Sequence, residues 1–154
     1  MTAIATSVSE SQVTTNGRTE DWWLVRIGGV AAILGALLAG IGNLIHPITP
    51  RDDDVGVAQV IADSDAWTLI HLVIIAGTIA MLVGMVGVRG ALPRDGFVGA
   101  MTRYGVLAGA IGTVLGILTV ILDGVGAKQL ADLWAALPAD QKDIGLRIVA
   151  GNET

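Results

Sequence analysis

Three uncharged or nearly uncharged apolar blocks dominate this sequence, and their length restricts what the chain can fold into. The first runs from about Leu24 to Ile45, the second from about Trp67 to Val88 and the third from about Tyr104 to Leu122. A helix rises 1.5 Å per residue, so blocks of about 19 to 22 residues reach roughly 28 to 33 Å, the thickness of a bilayer's hydrocarbon layer. Within them the one formal charge is Arg26, a turn inside the first block, where a long side chain can snorkel to the interface. Trp22 and Trp23 precede that block, as indole rings in a headgroup layer do. The first block is too long for a cleaved leader, its flank is not basic and no small-residue cleavage pattern follows it. The expected fold is therefore all-α: an integral membrane bundle of three transmembrane helices over residues 22–123.

Composition agrees. Only 15% of the 154 residues are charged, 53% are hydrophobic, and mean hydropathy is +0.69, whereas a soluble domain is nearer a quarter charged. With no cysteine, disulfides, thiolate metal ligands and a cysteine nucleophile are excluded. A net charge of −5 without a basic cluster argues against a nucleic-acid partner. Residues 1–21, rich in Ser and Thr, read as a disordered cytoplasmic tail. Beyond Asp123, Leu130, Leu133, Trp134 and Leu137 share one helical face, and Ile144 and Ile148 follow four apart. Residues 124–154 are thus expected to form short extracytoplasmic amphipathic helices, on the membrane surface or folded over the bundle.

Orientation follows from arginine. The stretch Arg89 to Arg103 holds three Arg and Pro47 to Ala66 holds one, so the positive-inside rule puts the former, with the N-terminus, in the cytoplasm of a cell with a plasma (inner) membrane. The C-terminus then lies outside. An odd span count and a polar end at Asn152-Glu153-Thr154 suggest a longer parent protein with further helices.

Helices in lipid associate by close packing, which small residues permit. Rows at four-residue spacing are Gly28, Ala32, Ala36 and Gly40; Ala76, Ala80 and Gly84; Gly105 and Gly109; and Ala108, Gly112 and Gly116. Three helices offer little surface for that many rows, so the surplus calls for a homo-oligomer, a partner membrane protein or further helices of a longer parent, unless Ala and Gly are simply abundant in such helices.

Alternating topology places the end of the first span, the start of the second and the end of the third at one membrane face. His46, His71 and Asp123 stand there. Two imidazoles and a carboxylate are a ligand set for zinc or iron, two histidines can hold a haem axially, and intramembrane His and Asp also serve proton relays. The plain alternative is structural: His46-Pro47 is a natural helix end, and Asp123-Gly124 a turn at the exit of the third span. Arg51-Asp52-Asp53-Asp54 lacks the spacing of a calcium loop and reads as a solvated acidic loop; Gly84, Gly87 and Gly90 lack the context of a phosphate loop; no hydrolase triad has motif support.

Asn43-Leu44-Ile45-His46-Pro47, Ile70-His71-Leu72 and Leu122-Asp123-Gly124 together resemble uncharacterised multi-pass membrane proteins of actinobacteria. That resemblance implies a fold with more than three spans and carries no activity. The leading expectation is a membrane subunit that packs with itself or a partner, without evident catalysis. A metal- or haem-binding membrane protein using His46 and His71 is the second reading, and a transporter fragment the third.

Overall fold

The structure, a computed structural model, describes the backbone of residues 3–151 and the side chains of residues 22–147. Every regular element among the described residues is helical. In chain order they are α1 (Ala3–Leu44), α2 (Asp54–Asp63), α3 (Trp67–Ala91), α4 (Gly96–Ile121), a π-helical stretch (Leu122–Ala127), α5 (Lys128–Ala135), a 3₁₀ turn (Ala139–Gln141) and α6 (Lys142–Gly151). Among the described residues, three helical segments are long and apolar enough to cross a membrane: Trp22–Leu44, Trp67–Ala91 and Gly96–Ala135. The tail expected over residues 1–21 falls on residues whose side chains lie outside the described ones. Its backbone from Ala3 belongs to α1, since extending an existing helix avoids the cost of a new nucleus.

Helices run further than the hydropathy blocks. The arginine-bearing stretch Arg89 to Arg103 contracts to a four-residue loop, residues 92–95, with Arg89 in α3 and Arg103 in α4. Pro93 sits in this break, where its missing N–H and fixed φ oppose helix continuation, and Gly96 takes the left-handed φ of +68° that restarts it. The Arg103 guanidinium donates to the Arg94 carbonyl at 3.0 Å across the turn. At the other end of the third span, Asp123-Gly124 is not an exit turn. The helix widens into π geometry there and continues as α5.

The chain divides into two compact units, residues 1–36 with 79–113 and residues 37–78 with 114–154. In the first, α1 and α3 approach through backbone. A Cβ on Gly28 would overlap the Gly87 Cα, and one on Gly84 would lie 2.6 Å from the Ala32 Cβ. Gly109 of α4 faces the Met85 thioether. In the second unit, Gly42 of α1 packs against the Ile74 side chain.

The buried small residues of α1 are Gly28, Gly35 and Gly42, seven apart, while Ala36 and Gly40 are exposed. On α3, Ile70, Gly77 and Gly84 repeat the spacing, with Ala76 exposed and Ala80 half-buried. In the first unit the closest approaches are Gly28 to Gly87 and Ala32 to Gly84, four residues apart on α1 and three on α3.

Among the described residues, the buried apolar side chains of the core lie in the second unit. Asp53 caps α2, its carboxylate accepting from the Gly56 N–H at 2.9 Å. α2 then buries Ala58 and Ile61 against Trp67, Ala127, Ala131 and Trp134, with Leu130 and Leu146 alongside. Thus the linker from Pro47 to Ala66 is no simple acidic loop: half of it is a helix that folds with α5 and α6 into a cap. Lys128 binds that cap together, donating to the Ala62 carbonyl at 2.9 Å and to Asp132 at 2.7 Å. Of the face expected on α5, Trp134 is buried, Leu130 and Leu137 are half-buried and Leu133 is exposed.

Candidate functional site

His46 follows the end of α1, His71 lies one turn into α3, and Asp123 is the second residue of the π-helical stretch. All three belong to the second unit. One potential ligand atom from each lies within 4.8 Å of the others.

His71 is buried, 3% exposed. Its Nδ1 lies 2.7 Å from the Trp67 carbonyl. A carbonyl only accepts, so Nδ1 carries the proton and Nε2 is turned toward Asp123 Oδ2 at 3.0 Å. One proton must occupy that second contact: either a protonated carboxyl donates to a neutral imidazole, or an imidazolium donates to a carboxylate. Asp123 is half-exposed, its side chain at 50%, so the pair spans the boundary between core and surroundings.

The π geometry and Gly124 make this contact possible. A Cβ at Gly124 would collide with the His71 Cβ, so only glycine lets the two backbones approach this closely. Two π-helical carbonyls accept side-chain donors from α3: Asp123 from the Trp67 indole N–H at 3.0 Å, and Gly124 from the Thr68 hydroxyl at 2.9 Å. Trp67 is 1% exposed, so its polar atom needs this partner. π segments are rare and mark functional positions more often than chance.

His46 completes the cluster. Its Nδ1 donates to the Pro47 carbonyl at 2.9 Å, which leaves Nε2 with the lone pair. Its ring meets those of Trp67 and His71 edge-on, with centroids at 4.7 and 5.0 Å. Imidazoles in mutual contact leave no space for a porphyrin between them, so this arrangement does not suit axial haem ligation. An open cleft of about 290 Å³ lies over the cluster, lined by His46, Trp67 and Asp123 and by Asp52, Asp53 and Asp54 of the acidic segment.

Among the small-residue positions, Gly28, Ala32 and Gly84 meet across α1 and α3, and Gly109 meets Met85. Gly40, Gly105, Gly112 and Gly116 have nothing within 4 Å of where a methyl group would stand. Sequence reasoning missed Trp67, Thr68 and Gly124 as parts of the site. Gly124 stood beside Asp123 in a short motif, but only the π register discloses its role.

Comparison with models of known protein families, with curated proteins and with solved structures finds no match.

Proposed function

We propose that this chain is a multi-pass plasma-membrane protein that serves as a membrane subunit, packing through α4 with a second copy or a partner membrane protein. In this reading the N-terminus and the Leu92–Asp95 loop face the cytoplasm, and the cap of α2, α5 and α6 faces outward. Arg89, Arg94 and Arg103 around that short loop support the orientation.

The observation that carries the assembly role is the glycine line of α4, of which Gly109 meets Met85 while Gly105, Gly112 and Gly116 meet nothing. Gly105, Gly112 and Gly116 fall within about 40° of one another around the helix, and no atom approaches their Cβ positions within 4 Å. Each glycine costs a helix about 0.5–1 kcal/mol against alanine. Lipid gives no return on that cost, whereas a helix approaching backbone to backbone does. The most apolar window of α4 also has no buried residue, in contrast to the α1–α3 seam.

Single cysteines test this in native membranes, because the chain has none of its own. Gly112→Cys should give one discrete crosslinked species, and Val114→Cys, on the opposite face, none. Equal and diffuse crosslinking from both positions would leave α4 facing lipid and sink the assembly role.

A further inference from the structure

We infer that His46, His71 and Asp123 form a binding site for one divalent transition-metal ion of the zinc and iron(II) class, approached through the acid-lined cleft. The assembly role neither needs nor supplies this.

The first ground is how the imidazoles are held. Both Nδ1 atoms donate to backbone carbonyls, His46 to Pro47 and His71 to Trp67. Metal-ligating histidines are oriented this way, with one ring N–H fixed by a carbonyl and the other nitrogen left for the ion, which here takes the place of the proton shared by His71 and Asp123 and releases it. The second ground is spacing. Two ligands of a tetrahedral ion at about 2.1 Å sit roughly 3.4 Å apart, and His71 Nε2 and Asp123 Oδ2 are already 3.0 Å apart. With all three ligand atoms inside 4.8 Å, an inward shift of about 1.4 Å closes the set.

The third ground is His46 itself. The contact between α3 and the π-helical stretch is complete without it, since Trp67, Thr68 and His71 pair with Asp123 and Gly124 in the hydrogen bonds of that tie. Among the described residues nothing is hydrogen-bonded to its Nε2. His46 thus offers an accessible imidazole nitrogen beside a second imidazole and a carboxylate, a third ligand that the fold does not otherwise use. The surroundings favour a cation: the cleft is lined by four Asp and by no Lys or Arg. Two nitrogens and an oxygen, without sulfur, select borderline ions such as Zn²⁺, Co²⁺ or Fe²⁺ over Cu⁺ and over the oxygen-seeking Ca²⁺ and Mg²⁺. Three protein ligands leave at least one position open toward the cleft.

The test is titration of the detergent-purified full chain with Zn²⁺ by calorimetry and with Co²⁺ by visible absorption. One ion per chain is expected, with tetrahedral Co²⁺ bands. His46→Ala should weaken binding at least tenfold while leaving helicity and the melting temperature near wild type. Absence of stoichiometric binding overturns the inference. So does binding that survives His46→Ala but is lost on combined Asp52→Asn, Asp53→Asn and Asp54→Asn replacement, which puts the ion on the acidic segment. Should His46→Ala fail to fold, zinc-edge X-ray absorption of the wild-type complex decides: two imidazoles uphold the site, an all-oxygen shell overturns it.

Discussion

The His71 imidazole and the Asp123 carboxylate, 52 positions apart in sequence, meet at 3.0 Å and tie the start of α3 to the π-helical end of the third span. Because Nδ1 of His71 is committed to the Trp67 carbonyl, the pair must share a proton. An asparagine at 123 can donate an amide hydrogen to the neutral imidazole, so Asp123→Asn should keep most of the stability. Asp123→Ala, which strips a buried imidazole of its partner, should cost about 1–3 kcal/mol. Denaturation in mixed micelles, followed by circular dichroism, compares the two.

Gly124 and Gly126 make a matched pair. Both lie in the same π-helical stretch, yet a methyl group on Gly124 would collide with His71 while one on Gly126 meets nothing within 4 Å. Alanine improves helix propensity at either site by about 1 kcal/mol. Gly126→Ala should therefore be neutral or stabilising, and Gly124→Ala destabilising by about 1–3 kcal/mol. Thermal unfolding of the two variants side by side gives the comparison.

Much of the architecture was legible because it rests on length and composition. Apolar blocks long enough to span, and the alternation that follows, already place His46, His71 and Asp123 at one face. What escaped depends on register and tertiary partners. α2 hid behind its acids, although Asp53 as cap and the pair Ala58 and Ile61 carried a faint helical period. The π turn at Asp123-Gly124 looks in sequence like any Asp-Gly break. Its helical continuation is supported by donors from Trp67 and Thr68, more than fifty residues away. Four-residue rows were the visible small-residue pattern, and one of their steps, Gly28 to Ala32, is where α1 meets Gly87 and Gly84 of α3, while Gly35, also buried, lies outside them.

That seam makes a contrast between neighbours. Gly28 faces the Gly87 backbone, whereas Gly29 has open space at its Cβ. Gly28→Val should push α1 from α3 and lower the melting temperature by several degrees. Gly29→Val, with the same propensity change, should leave it within about a degree. A calorimetric scan of both variants in one detergent checks this.

Trp67 carries the tie's second hydrogen bond. Trp67→Phe retains most of the apolar volume but leaves the Asp123 carbonyl without the indole donor, at an expected cost of about 1 kcal/mol. Its indole is 1% exposed and that of Trp134 4%, while Trp22 and Trp23 are 46% and 57% exposed, so removing one of the two buried indoles should shift fluorescence emission to longer wavelength.

The measurement that bears most directly on the account is cysteine accessibility in intact cells, read on Asp53→Cys in the cap segment and Asp95→Cys in the α3–α4 loop. Three spans with the His–Asp face outside predict that a membrane-impermeant maleimide labels position 53 at once and position 95 only after permeabilisation. Labelling of both positions in intact cells, or release of the protein from membranes by alkaline carbonate, would contradict it.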